Sequence, residues 1–363
     1  MDLEIIEILY KFGKIFALTP PSSKRKKLNH LQRYYSFLIF ALYLVGVTIH
    51  NYNIISYHTV LSPSRLTLTI YIFFYNCMVQ FYILIIVMGL HRKRWFTLIQ
   101  NLRNVKIPRN RNTVYLIMLS SSLVTYLSME FLDSFRLINY FGLYEFALAI
   151  PAHFEKLSQF FYTICACVVL KMVLSRYQHH TTMLLHVTKI CKHPNPTQLK
   201  PALKNLKRTL FVLRRTVDAF NDLFGWTILS AILCGVTRIL FCLQPLYNQK
   251  LKQSLAQDES FLYFVYELGF TATLWMGVVS VVLLCDDILK QSNEVLTLTY
   301  RLEALANLSL SECEELEAFI DFVQNNLPRF RIARFFSVDR SVLFKMLDSS
   351  IAFFLVLLQV YKH

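Results

Sequence analysis

The chain contains little charge and few residues that interrupt helices. Only 17% of its 363 residues are charged, and it has 8 glycines and 10 prolines. Hydrophobic residues make up 55% of the sequence and aromatic residues 15%, and the mean hydropathy is +0.41. A composition so poor in charge excludes an ordinary soluble domain and favours a helical membrane protein.

Signatures of enzymes are also missing. The sequence has no glycine-rich phosphate loop, no H-E-x-x-H, no G-x-S-x-G and no pair of C-x-x-C motifs. Nearly all of the eight cysteines fall in apolar runs or at predicted cytoplasmic positions, which favours free thiols. We therefore predict that the protein is not an enzyme and that it holds no metal and no other cofactor.

Long apolar runs define the architecture. About 20 helical residues cross the roughly 30 Å hydrocarbon core of a bilayer. Seven runs have about this length or more: 34–56, 66–89, 113–133, 144–174, 218–243, 261–284 and 340–361. They predict an all-α membrane protein with seven transmembrane helices, of which the fourth has the least certain start because Glu145, Pro151 and His153 interrupt it.

Basic residues give the orientation. Of the 38 lysines and arginines, 30 precede span one or follow spans two, four and six, and 6 lie at the opposite ends of the spans. The remaining two, Arg238 and Lys345, lie inside spans. Short cytoplasmic loops collect Lys and Arg, so this asymmetry predicts a cytoplasmic amino terminus and an extracellular carboxyl terminus. The regular positions beside the spans also make anionic inner-leaflet lipid, and not nucleic acid, the expected partner of the net charge of +15.

The topology divides the chain into four segments: a cytoplasmic segment at 1–33, six transmembrane helices at 34–284 with a long cytoplasmic loop at 175–216, a cytoplasmic helical anchor at 285–339, and the seventh helix at 340–363. Within the anchor, a capping-box pattern at Ser311 and Glu314 begins an amphipathic helix. The cytoplasmic segments form either a folded connector or a base through which subunits associate.

The last span has a polar side. The residues that share this side on a helical wheel are Lys345, Asp348, Ser349, Val356, Gln359 and Val360. Ionisable groups inside a span usually face a bundle interior or water, so the pattern fits a pore-lining helix with an apolar constriction at Val356 and Val360. The alternative is that Lys345 pairs with Asp348 while Gln359 reaches interfacial water.

The end of the sequence resembles that of insect gustatory receptors. The last span of that family carries threonine-tyrosine, five residues, then glutamine-phenylalanine, and here the corresponding positions are Ala352, Phe353, Gln359 and Val360. Only the glutamine is identical. The flanking VDRSVLF and the amino-terminal YKFGKIFALTP are also similar to the family pattern.

The resemblance implies a ligand-gated cation channel in the plasma membrane, assembled as a homo- or heterotetramer around one central pore. The last helix of each subunit would line that pore, with Gln359 facing ions and Val356 and Val360 near the gate. Sugar-sensing members tend to have glutamate where this chain has Phe354. The resemblance therefore favours bitter or other non-sugar tastants.

The ligand is expected to enter between the outer halves of the spans. Polar and aromatic side chains predicted at this depth are Tyr126, Glu130, His153, Gln159, Tyr162, Arg238, Tyr266 and Glu267. Aromatic groups with a few polar atoms suit small organic molecules. The tyrosines could instead anchor the protein at the membrane interface, and the charges could pair with one another.

Three other functions involve similar topologies. A G-protein-coupled receptor would have the opposite charge bias, a D-R-Y after span three and an N-P-x-x-Y in span seven. A secondary transporter usually shows repeated halves and broken spans, which we do not find in the sequence. An odorant receptor of the same superfamily shares the topology and would differ by its dependence on a co-receptor subunit.

Overall fold

The computed structural model describes residues 2–20, 30–58, 63–105, 113–190, 199–247, 257–305, 310–332, 336–338, 340–341, 343–345, 348–349, 351–352 and 355. Its α-helices are, in chain order, α1 (Asp2–Ile15), α2 (His30–His58), α3 (Pro63–Phe81), α4 (Arg92–Asn104), α5 (Thr113–Arg136), α6 (Gly142–Ile190), α7 (Leu199–Tyr247), α8 (Gln257–Leu305) and α9 (Leu310–Asn325). Two π-helical stretches, Tyr82–Leu90 and Leu137–Phe141, continue α3 and α5. The described residues of the carboxyl-terminal segment from Arg340 to Leu355 are helical.

The predicted all-α class is confirmed. The first six predicted spans fall within α2, α3 with its π-helical continuation, α5, α6, α7 and α8. A feature that the sequence analysis missed is a short antiparallel pair, β1 (Arg331–Ile332) and β2 (Phe336–Ser337). This pair lies between α9, which ends before Pro328, and the carboxyl-terminal segment.

Three helical stretches among the described residues are long and apolar enough to cross a membrane: Ile117–His186, Lys200–Ile239 and Val265–Ala304. The first includes most of the predicted third span and all of the fourth. Gly142 lies between these two spans, and its φ of 85° is in the left-handed region that favours glycine. A fourth candidate is the pair Phe73–Val87 and Arg92–Asn104, bent by 68°, and a shorter apolar helix covers Tyr34–His50. The predicted seventh span extends beyond the described residues.

Helix α6 lies at the centre of the bundle. It packs against α1, α2, α7 and α8, and its residues 165–170 are buried or half-buried. Small residues bring the neighbouring helices close. A Cβ atom added to Gly277 of α8 would lie 2.4 Å from Cγ2 of Thr163 on α6, so the two backbones approach closely at this point.

The amino-terminal segment is folded onto the bundle. After α1, Ala17 adopts a left-handed conformation with a φ of 54°, and the amide of Leu18 donates a 2.7 Å hydrogen bond to the carbonyl of Gly13. The hydroxyl of Thr19 donates to the Tyr10 carbonyl at 2.7 Å. Leu18 is fully buried, so this turn is a packed part of the protein and not a loose leader.

Helices α6, α7 and α8 continue beyond the predicted spans as long extensions. The leucines with helical spacing in the predicted cytoplasmic loop are buried on α7: Leu203, Leu206, Leu210 and Leu213. The apolar stripe of α9 is buried as well: Leu316, Phe319, Ile320 and Val323. Arg214 of α7 donates a 2.9 Å hydrogen bond to the carbonyl of Asn325, so α7 and α9 form one packed unit.

A buried arginine closes the end of α4. The guanidinium of Arg176 on α6 donates to the carbonyl of Leu102 at 2.6 Å and to that of Val105 at 3.2 Å. These acceptors lie at the carboxyl-terminal end of α4, where backbone carbonyls lack helical partners. Arg176 therefore both satisfies the end of α4 and holds it against α6.

We predict that Gly277→Ala destabilises the bundle, because the new methyl group would overlap Thr163. Overpacking of this kind costs about 1–3 kcal/mol, which should lower the melting temperature of the detergent-solubilised protein by several degrees. Thr163→Ser removes the overlapping Cγ2 atom and keeps a hydroxyl that can donate to the Gln159 carbonyl. The double variant should recover most of the loss, whereas an equal loss in the single and double variants would contradict the proposed contact.

Candidate functional site

Charged and polar side chains from four helices gather inside the bundle. They are Glu130, Asp133 and Arg136 on α5; His153, Glu155, Lys156 and Gln159 on α6; Arg238 on α7; and Tyr266 and Glu267 on α8. We call this set the polar cluster. Most of its members are largely shielded from solvent, and ionisable groups within membrane helices commonly mark a functional site.

Asp133 on α5 forms ion pairs with two cations. Its carboxylate accepts a 2.9 Å hydrogen bond from Arg136, one turn along the same helix, and a 3.0 Å hydrogen bond from Lys156 on α6. The side chains of Asp133 and Lys156 are 5% and 9% exposed. Because a buried charge without a partner is very unfavourable, this arrangement fixes α5 relative to α6.

Two further ion-pairing contacts cross the helices. Nδ1 of His153 lies 2.5 Å from Oε2 of Glu130 and connects α6 to α5. Nη1 of Arg238 lies 2.8 Å from Oε2 of Glu267 and connects α7 to α8. Ion-pairing contacts therefore join α5 to α6 and α7 to α8 at this level.

Aromatic rings cover the cations. Lys156 Nζ lies 4.5 Å from the ring centre of Tyr266, whose hydroxyl it also contacts, and 5.8 Å from that of Phe270. The guanidinium of Arg238 lies 4.5 Å from the centre of the same Phe270 ring. Cation–π contacts at this range stabilise desolvated cations. On the other side of the polar cluster, Tyr126 stacks on Phe160 with 4.1 Å between ring centres.

The polar interior continues towards α3. Gln159 Nε2 donates to Glu155 Oε1 at 3.2 Å, and Gln80 Nε2 donates to the hydroxyl of Ser158 at 2.6 Å. Several buried polar atoms have no hydrogen-bond partner among the described residues: Glu130 Oε1, His153 Nε2, Gln159 Oε1, Arg238 Nε and Gln80 Oε1. Such atoms have free capacity for a ligand or for water.

Seven of the eight residues that the sequence predicted for a ligand pocket belong to the polar cluster or contact it. Tyr162 lies apart. Its hydroxyl donates a 2.6 Å hydrogen bond to the carbonyl of Leu18, and its ring contacts Phe224. Nine residues correspond to 900° of helical rotation, so Tyr162 faces the side of α6 opposite to His153. It thereby connects α6 to the amino-terminal turn.

The sequence analysis did not predict four members of the polar cluster, nor the ring of Phe270 that covers its cations. The four are Asp133, Arg136, Glu155 and Lys156. Lys156 counted there only as a charge near the end of a span. A signal was nevertheless present, since Glu130 and Asp133, like His153 and Lys156, are three residues apart and so share a helix face. Pairing the two acidic positions with the two basic ones would have indicated the contacts.

The predicted pore residues are described only in part. Lys345, Ser349 and Ala352 lie in the helical carboxyl-terminal segment and are exposed. The remaining family-motif and gate positions, which are Phe353, Val356, Gln359 and Val360, lie outside the described residues. The assignment of this helix to a pore therefore stays a prediction.

The start of this segment lies beside α8. The two are separated by an apolar crevice of about 310 Å³, lined by Trp275, Val279, Leu283, Arg340, Leu343 and Phe344. At its end Nε of Arg340 lies 2.7 Å from Oδ2 of Asp286, on the extension of α8. This ion pair holds the beginning of the last helix against α8.

Comparisons with known proteins give one family match and a similarity of fold. A family model described as 7tm chemosensory receptor matches residues 6–362. Two structures of the insect olfactory receptor OR5 from Machilis hrabei have a similar fold at 15% sequence identity. One has a TM-score of 0.65 with 98% of each chain covered, and the other, in complex with eugenol, has a TM-score of 0.66 with 99% of each chain covered. No curated protein matches the chain.

We predict that positions 238 and 267 cannot both carry a positive charge in the folded protein. Glu267→Arg would bury two cations side by side and should abolish surface expression, since breaking a buried pair costs about 3–5 kcal/mol. Exchanging the two residues, Arg238→Glu with Glu267→Arg, restores opposite charges and should recover part of the expression, which labelling of intact cells would measure. Normal expression of the Glu267→Arg variant alone would contradict the pairing.

Proposed function

Since this chain belongs to the 7tm chemosensory receptor family, we propose that it is a gustatory receptor that works as a ligand-gated, non-selective cation channel. Its ligands would be small organic tastants, in particular bitter or other non-sugar compounds. The observation that carries the proposal is the family match over 6–362, which includes both the polar cluster and the carboxyl-terminal helix. The protein would act in the plasma membrane of a sensory neuron.

The polar cluster supports the assignment of a ligand site. It combines aromatic rings with a few buried polar atoms that have free hydrogen-bonding capacity, as small-molecule sites do. A receptor of the same fold has been solved in complex with eugenol, and we infer that this chain also takes a small organic molecule.

The channel itself is proposed to be a homo- or heterotetramer. The polar side of the last helix, with Lys345, Ser349 and Gln359, would face the central pore, and Val356 and Val360 would form its constriction. The packed unit of α7 and α9 supplies a rigid base from which such subunits could associate.

Whole-cell recording tests the proposal directly. Cells that express this chain alone would be exposed to a panel of sugars, bitter compounds and volatiles, with surface expression measured in parallel. A ligand-evoked cation current supports the channel. The proposal would be contradicted if the chain reached the surface but no compound of the panel evoked a current, even with related receptor subunits co-expressed. Transport of a labelled substrate would then favour a secondary transporter.

We predict that Gln359→Ala changes the ion selectivity or the conductance of this current without loss of surface expression, because the amide would supply a dipole to passing cations. Gln100→Ala, which removes an exposed amide on α4, serves as a matched control and should behave as the wild type. Val356→Ala should change gating. A functional channel with unaltered permeation in the Gln359→Ala variant would count against the pore assignment.

An odorant receptor subunit is the second candidate, favoured by the structural similarity to the olfactory receptor OR5. Such a subunit would depend on a common odorant co-receptor for conduction, whereas a gustatory receptor would conduct alone or with related gustatory subunits. We therefore predict currents without the odorant co-receptor. A current that appears only when the co-receptor is present would assign the chain to the odorant branch.

A further inference from the structure

The charges of the polar cluster do not cancel. It contains four carboxylates, Glu130, Asp133, Glu155 and Glu267. Against them stand three permanent cations, Arg136, Lys156 and Arg238. With all four carboxylates ionised and histidine neutral, the polar cluster would carry one more negative than positive charge, and burial makes such an excess unfavourable.

Two of the four carboxylates have a permanent cation as partner among the described residues. Asp133 has two cations as partners, and Glu267 has Arg238. Glu155 is buried, and its Oε1 accepts a 3.2 Å hydrogen bond from Gln159. For Glu130, the charged partner among the described residues is His153, which is cationic only when it is protonated. The Glu130 carboxylate therefore depends on a partner whose charge is not permanent.

Three of the buried atoms without a described partner in the polar cluster can act as hydrogen-bond acceptors. Oε1 of Glu130 and Oε1 of Gln159 are buried and have no partner among the described residues. Gln159 is 4% exposed, so water reaches its amide poorly. Nε2 of His153 is a third buried atom without a described partner, and it is an acceptor when Nδ1 donates its proton to Glu130. A group with several N–H donors would satisfy such a set.

Aromatic rings lie next to these acceptors. Tyr126 precedes Glu130 by one helical turn and stacks on Phe160, and the Phe146 ring centre is 6.0 Å from that of His153. The same cluster already holds two cations against rings, at Tyr266 and Phe270. The surroundings of Glu130 therefore suit a positive group attached to an apolar or aromatic body.

We propose that the ligand of this receptor is a protonated amine whose ammonium group binds Oε1 of Glu130 and whose apolar body packs against Tyr126 and Phe160. The inference rests on the proposed function and specifies its class of ligand. The ammonium supplies a permanent positive charge to Glu130, whose described charged partner is otherwise His153. The unused N–H of Arg238 is then available for a hydroxyl or carbonyl on the same ligand.

The change in melting temperature of the purified, detergent-solubilised full chain on addition of a ligand tests the proposed binding of an amine. This measurement does not require the channel to open. The probes are 2-phenylethylammonium and its uncharged counterpart 2-phenylethanol, at matched concentrations up to the millimolar range. The amine should stabilise the protein with an apparent affinity at least about tenfold tighter than that of the alcohol, as a charge-assisted hydrogen bond implies. Equal stabilisation by the two probes, or none by either, would overturn the amine class.

Variants locate the contact. Glu130→Gln keeps the shape of the side chain, removes the charge and should abolish the preference for the amine, whereas Glu130→Asp should retain part of it. Glu145→Gln, which neutralises a carboxylate in the first turn of the same helix that carries His153, should leave the preference unchanged. If a folded Glu130→Gln protein still preferred the amine to the alcohol, the amine would not bind at Glu130.

The experiments distinguish a failure of the amine proposal from a failure of the channel proposal. If neutral compounds evoke cation currents while amines neither bind nor activate, the receptor function stands and the ligand class is wrong. If amines bind through Glu130 but no compound evokes a current at confirmed surface expression, the binding site stands and the channel is wrong.

Discussion

The ammonium group of Lys156 is the point at which three helices meet. It extends from α6, donates a hydrogen bond to the carboxylate of Asp133 on α5, and lies against the ring and hydroxyl of Tyr266 on α8. Hydrocarbon offers no water to replace any of these contacts. One buried cation therefore joins α5 and α8 to α6, beside the contacts that Glu130, Arg238 and Glu267 make.

Helix α6 carries this arrangement to the other parts of the protein. His153 and Lys156 face the polar cluster, Tyr162 holds the amino-terminal turn through Leu18, and Arg176 closes the end of α4. These contacts lie along one continuous helix, so α6 links the polar cluster to Leu18 and to α4, while the close contact of Thr163 with Gly277 joins it to α8.

The length and composition of apolar runs were enough to place the first six spans within the observed helices, because that signal accumulates over about 20 residues. Individual contacts depend on the rotation and depth of each helix, which the sequence specifies only weakly. Tyr162 was predicted in the same ligand pocket as His153 because only its depth was considered, whereas a separation of nine residues places it on the opposite face of the helix. The π-helical stretch Tyr82–Leu90 is apolar throughout and does not differ in composition from an ordinary span. The short strands Arg331–Ile332 and Phe336–Ser337 contain too few residues to establish a period.

Stability alone does not explain the polar cluster. Replacing a buried ion pair by apolar residues of similar volume is often neutral or stabilising, since the attraction between the charges hardly exceeds their cost of desolvation. A bundle held by contacts such as Gly277 against Thr163 could therefore be built without Glu130 or Glu267. Ion pairs differ from apolar contacts because a charged ligand can change them. A positive ligand at Glu130 would compete with His153 for one carboxylate and so alter the link between α5 and α6. Asp133, one turn along α5 from Glu130, binds Lys156. A ligand at Glu130 would therefore also affect the contacts that Lys156 makes.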